Sequence, residues 1–341
     1  MFSWKAFFLV GTCAMAFSTA AVQVALAPAP QSAPVRTQVE PVPAVAAVTR
    51  PMPEEQQAQE QAALASRTYA DGAPPLAPLD PLMPPVGEVA GVWQHLDKRV
   101  RELAAPFPGR MSVVAVDVTT GDRYEFRPND RYYPASTFKL PVSICAVEAI
   151  ERGELKWDTL VTFTKEDDDT VGQGGFADAE YGSKWPVRNL LDRSLISSNN
   201  VAVKMLARTL TWEGLRACTG QLGGTVTRTE AGSTAVTARD EAAWWMAVWR
   251  MKQERPKVAE NLLSPLRRVS YLGRIQAGTP RPDLVTHKFG TYPPYEHDGA
   301  IVWGERPYLL VMLTYGGDHT DVDATFEAVA RAAWDSIHQG Q

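Results

Sequence analysis

The segment Tyr133-Pro134-Ala135-Ser136-Thr137-Phe138-Lys139 follows a β-hairpin pattern and opens an apolar stretch of helical character. On a helix Ser136 and Lys139 stand at i and i+3, so their side chains share one face and reach each other. A serine hydroxyl attacks only when a neighbour takes its proton, and a desolvated lysine amine can do that. Backbone N–H groups at the helix start add a site that favours developing negative charge. An ordinary surface helix also begins with such residues, so the rest of the chain must supply the context.

Working outward, Met111 to Val118 alternates, Thr119-Thr120-Gly121-Asp122 reads as a turn, and Arg123 to Arg127 returns, which makes the leading hairpin. Before it, Val89, Val92, Leu96, Val100 and Leu103 repeat at helical spacing across Glu88 to Ala105. Near the other end, Ala300 to Trp303 and Tyr308 to Thr314 flank Gly304-Glu305-Arg306-Pro307 as a second hairpin, followed by a closing helix over Asp321 to His338. Between the hairpins lie helical patterns at Val187 to Leu195, Asn200 to Leu210 and Arg239 to Arg250. Strands at both ends of a helical block predict an α/β (α+β) fold. An antiparallel sheet is flanked by N- and C-terminal helices, an all-helical subdomain is inserted, and a cleft lies between the layers.

The ends have other compositions. Residues 1–27 carry one positive charge, Lys5, then an apolar run ending in small residues, the pattern of a signal peptide or membrane anchor. Residues 28–85 are rich in Pro, Ala, Gln and Glu and cannot bury enough apolar surface to order themselves, so they read as a spacer before a domain over 86–341. The expectation is an exported protein of the periplasm or cell envelope, tethered or secreted. A net charge of -5 without a Lys/Arg run argues against a nucleic-acid partner. Of three cysteines, Cys13 falls in the leader; Cys145 and Cys218 either pair with each other or, on the simpler reading, stay reduced as packing residues.

Two further segments carry candidate chemistry. Ser197-Ser198-Asn199-Asn200 starts an amphipathic helix: a serine and an amide here serve either as proton relay and carbonyl ligand or as an N-cap. His287-Lys288-Phe289-Gly290-Thr291 precedes the final hairpin; a lysine on an edge strand supplies positive potential, and Gly290 lets a ligand approach the backbone. The Thr291 N–H then stands to join that of Ser136 as an oxyanion hole.

The three segments come in this order, the first two 62 residues apart and the third 90 further on. Together they resemble the S-x-x-K, S-x-N and K-[ST]-G set of the penicillin-recognising serine hydrolases, closest to class A β-lactamases. The resemblance runs from about Val89 to Ile337 and includes Gly172-Gln173-Gly174-Gly175 and His297-Asp298-Gly299. It implies Ser136 as acylated nucleophile, Lys139 as activating base or relay, and Ser198 as proton shuttle. Asn200 would bind substrate and lysine, and Lys288, Gly290 and Thr291 would line the substrate site. It implies no metal or organic cofactor.

This sequence also departs from that set. In class A β-lactamases a glutamate on an Ω-shaped loop frees the acyl-enzyme, yet only nine positions separate Arg228 from Thr237, about ten too few. Glu230, the sole acid there, is the candidate deacylation base. Phe289 replaces a small hydroxyl residue, for which Thr291 is the candidate substitute, and Asn199 replaces an acid. Arg274 reads either as a carboxylate anchor or, more simply, as a solvated arginine. The expected function is β-lactam hydrolysis by a monomer through an acyl-serine. The alternatives are a D-Ala-D-Ala carboxypeptidase or transpeptidase with slow deacylation, and a catalytically weak, envelope-tethered binding module.

Overall fold

The computed structural model of the chain describes residues 91–168, 176, 179–223 and 235–338. The expected leader and spacer, Gly172 to Gly175 and Glu230 lie outside them.

The opening helix forms as a single 3-10 turn, Gly91–Trp93, followed by α1 (Gln94–Ala104), whose Leu96 and Val100 are buried one turn apart with Trp93. The leading hairpin is β1 (Arg110–Asp117) and β2 (Arg123–Phe126). After α2 (Lys139–Glu151), a small two-stranded sheet pairs β3 (Leu160–Thr162) with β4 (Lys184–Pro186). Helices α3 (Val187–Ile196), α4 (Asn200–Leu210), α5 (Trp212–Gln221), α6 (Ala238–Glu254) and α7 (Pro256–Leu266) complete the helical block. A one-turn α8 (Ile275–Gly278) leads into β5 (Val285–Tyr292), β6 (Tyr295–Val302) and β7 (Tyr308–Tyr315), and α9 (His319–His338) closes the domain.

The five long strands form one antiparallel sheet in the order β2-β1-β7-β6-β5, so the first hairpin pairs with the last strand and β5 is an edge. The sheet's two faces bury separate cores. On one, Val113, Ala115, Leu310 and Met312 pack with Trp93, Leu96, Phe326 and Val329 of the terminal helices. On the other, Val114, Val116, Val311 and Leu313 pack with Trp244, Trp245 and Val248 of α6. Both faces being covered, β1 is buried from Met111 to Asp117 and does not show the in-and-out pattern expected of it. The mixed fold with an antiparallel sheet, terminal helices on one face and helical block on the other is the one read from the sequence.

Helix α2 explains how the site is held. Every residue from Lys139 to Ala149 is buried, so the helix runs through the middle of the helical block with no solvent face. Cys145 on α2 is bonded to Cys218 on α5, with Cα atoms 5.9 Å apart. Of the two readings, pairing holds and the simpler one of unpaired packing residues is corrected: two buried positions 73 residues apart meet only once the helices pack.

Candidate active site

Ser136 sits on a 3-10 turn, Ala135–Phe138, and α2 begins only at Lys139. The change from the expected α-helix favours the pair, because residues i and i+3 eclipse in a 3-10 turn. Ala135 is held at φ 48°, and the Thr137 hydroxyl donates to Pro134 O at 2.8 Å, closing the turn.

Lys139 is fully buried, and its Nζ donates to Ser136 Oγ at 2.8 Å, Ser198 O at 2.5 Å, Ser198 Oγ at 3.1 Å and Asn200 Oδ1 at 2.6 Å. Four acceptors exceed the three protons of an ammonium. Ser198 O and Asn200 Oδ1 can only accept and so occupy two protons. The third position, proton or lone pair, is left facing the two serine hydroxyls.

The second segment divides its tasks. Asn199 caps α4, its Oδ1 accepting from Ala202 N at 2.8 Å. The cap therefore falls to Asn199, and Ser198 and Asn200 on either side turn to Lys139. Ser198 stands at φ 55°, a left-handed backbone that aims both its carbonyl and its hydroxyl at the amine.

Lys288 comes from the edge strand β5 and is also buried. Its Nζ donates to Ser198 Oγ at 3.0 Å and to Phe289 O at 2.7 Å. Burial above all, and then the nearby Lys139, hold its ammonium well below the usual lysine range. Phe289 packs its ring against Tyr271, centroids 4.7 Å apart. A Cβ on Gly290 would fall 2.9 Å from Ser136 N and 3.0 Å from Thr137 N, so only glycine lets β5 lie against the nucleophile turn.

Arg274 is not a solvated arginine. It is fully buried and donates to Gly290 O at 3.0 Å, His297 O at 2.7 Å, Thr291 Oγ1 at 2.9 Å and Asp323 Oδ1 at 3.0 Å, and pairs closely with Glu296. It meets the site through Thr291, whose hydroxyl accepts from the guanidinium and keeps its own proton to give. Sequence reasoning missed this because Glu296 and Asp323 lie 22 and 49 residues downstream. His297 is buried too; its Nε2 donates to Tyr133 O at 2.7 Å, bracing the segment that leads to Ser136, and burial lowers the imidazole to about 4.

One group behind the site was not foreseen. Glu241 on α6 is buried, and burial pushes its carboxyl up to about 8. Its signal was present: an acid on the apolar stripe that continues through Trp245 and Val248. Ser136, Lys139, Ser198, Asn200, Lys288 and Gly290 thus come together as expected, with Thr291 next to them on β5, while Glu230 lies outside the described residues.

A family model described as the beta-lactamase enzyme family matches residues 95–337. Among solved structures, the chain is similar to PBP-A at 17% identity and a TM-score of 0.67, over 72% of this chain and 97% of that one. It is similar to a β-lactamase from Xanthomonas campestris pv. campestris at 22% identity and a TM-score of 0.61, over 73% and 100%. It is also similar to the class A β-lactamase of the last common ancestor of Gram-negative bacteria at 25% identity and a TM-score of 0.63, over 71% and 99%. A serine and two lysines meeting at a second serine, on this sheet and helical block, agree with those matches: the chain belongs to the beta-lactamase enzyme family.

Proposed function

We propose that the protein opens β-lactams through an acyl-enzyme at Ser136 and hydrolyses that ester. The observation that carries this reading is Lys139 Nζ, 2.8 Å from Ser136 Oγ and already bound by two obligate acceptors. Lys139, directly or as a relay, takes the Ser136 proton as Oγ attacks the lactam carbonyl. The N–H groups of Ser136 and Thr291 receive the oxyanion. As the C–N bond breaks, the lactam nitrogen takes a proton from Ser198, which regains one from the lysines beside it. Lys288 and the Thr291 hydroxyl hold the substrate carboxylate, and Asn200 the acyl amide. Water then cleaves the ester, with Glu230 as the candidate base. The disulfide supports export to an oxidising envelope compartment, where the leader would deliver the domain.

A second reading, a penicillin-binding peptidase with slow deacylation, is favoured by the short stretch between Arg228 and Thr237. Likeness to PBP-A, a mutant of which is known as an acyl-enzyme complex with penicillin G, points the same way. Intact-mass analysis after adding penicillin decides between the two. Adduct that forms and decays supports the hydrolase, and adduct that persists supports the peptidase. No adduct, or one that survives Ser136→Ala, overturns both.

A further inference from the structure

Helix α6 presents Glu241 and Trp245, one turn apart, to the sheet at Gly299. A Cβ there would fall 2.3 Å from Trp245 Nε1 and 3.2 Å from Glu241 Oε2, so the missing side chain is the slot these two fill. Gly299 is the cross-strand partner of Lys288 in the β5–β6 register, and such partners project to the same face. Glu241 therefore lies next to Lys288 within the sheet-to-helix core. It also meets the Thr137 hydroxyl, one residue after the nucleophile. That contact favours the carboxylate, while burial favours the neutral acid. Glu241 Oε1 has no hydrogen-bond partner among the described residues. A buried carboxyl with one oxygen unsatisfied, beside a buried amine, is poised between neutral and charged forms.

We propose that Glu241 is a positioning residue for Lys288: its carboxylate is a buried counter-charge that, with Asp298, keeps the Lys288 amine protonated, and its own protonation relaxes that hold. The inference rests on the reading above only in that Lys288 grips a substrate carboxylate. The other charges acting on the pair are Asp240 on α6, Lys139 on α2, Asp298 on β6 and Arg274 before α8. Asp298 is already engaged by His287 Nδ1 at 3.1 Å and Ile275 N at 3.2 Å, and Arg274 by Glu296 and Asp323. Asp298 and Glu241 both favour the protonated Lys288 amine, Asp298 the more strongly, but Glu241 is the one with an oxygen lacking a hydrogen-bond partner among the described residues and with a carboxyl pushed up by burial, so its charge is the one that can change.

Glu241→Gln keeps the shape and removes the charge. The alkaline limb of the acylation pH profile should move to lower pH, each unit costing about tenfold at a fixed pH on that limb. Capture of substrate should suffer more than the maximal rate, and Glu241→Asp should restore most of the loss. Superimposable limbs, or an Asp variant no better than Gln, would overturn the proposal. A second measurement needs no substrate: isotope-edited infrared titration of the glutamate carboxyl in wild type and Lys288→Met. By reciprocity the Glu241 midpoint must rise when the neighbouring cation is removed, and an unchanged midpoint overturns the proposal. Should the wild type form no acyl-enzyme, the proposed function falls while the infrared result still decides this coupling.

Discussion

Ser198 Oγ is shared by two buried lysines, 3.1 Å from Lys139 Nζ and 3.0 Å from Lys288 Nζ. One hydroxyl thereby links the amine beside the nucleophile to the cation of the edge strand, and a proton leaving either lysine has a two-bond path to the other. Ser198→Ala removes the link and leaves the Ser198 carbonyl on Lys139. Penicilloyl-adduct formation should slow by about a hundred- to ten-thousandfold with little change in the unfolding midpoint. A variant that acylates at the wild-type rate would show that the shared hydroxyl carries no proton.

Gly290 makes a different kind of prediction. Adding a methyl at 2.9 Å from Ser136 N must push β5 away from the nucleophile turn. Gly290→Ala should cut acylation by about a hundredfold or more, since displacements near 1 Å have that effect on aligned reacting groups. Adduct kinetics and circular dichroism together separate lost geometry from lost fold.

The Cys145–Cys218 bond closes a loop of 73 residues between α2 and α5. Constraint of the unfolded chain for a loop this long corresponds to about 4 kcal/mol at most. Urea unfolding of oxidised protein against the Cys145→Ser/Cys218→Ser double variant should show a loss of about 2–4 kcal/mol. Equal midpoints would mean that the packed helices need no cross-link.

His297 contributes a loss of stability on the acid side. Its imidazole is lowered from 6.5 to about 4 by burial, so the folded state refuses a proton that the unfolded chain accepts. Its contribution is fully present above pH 6.5 and is lost as pH falls toward 4, amounting to about 3 kcal/mol. Asp117 and Asp167, held below 3.8 by Arg306 and Arg208 and their other hydrogen bonds, act only at lower pH, whereas Glu241, raised from 4.5 to about 8, takes up a proton on folding and opposes His297 in this window, so it is the difference in slope between variant and wild type that isolates His297. His297→Asn should lower stability at neutral pH but flatten its slope across that window. A variant with the wild-type slope would assign the acid loss to other groups.

Much of this was legible because the decisive contacts are local or ordered along the chain. Ser136 and Lys139 are three residues apart, and Ser198 and Asn200 flank the residue that caps a helix, so backbone geometry alone brings each pair together. The strand signals of β1 and β7 are dense in apolar residues, β2 follows from the turn ahead of it, and the bounds of all three are legible to within a residue or two. What escaped depends on partners distant in sequence. Arg274 reads as solvated until Glu296 and Asp323 are folded around it, and Cys145 reads as a packing residue until α5 reaches α2. Residues Tyr295 to Gly299 of β6 carry Glu296, His297 and Asp298, whose burial no alternation pattern announces, because each is satisfied by a specific partner.

Ala135 at φ 48° and Ser198 at φ 55° are L-residues in a conformation that costs about 1–2 kcal/mol apiece. Both adjoin or bear the hydroxyls on which the chemistry turns, so the scaffold spends part of its modest margin of stability keeping them there. Relaxing either position, for instance with glycine at 135, would make a sturdier protein with a less well-aimed nucleophile. Directed evolution toward heat resistance alone should therefore erode this corner of the molecule first.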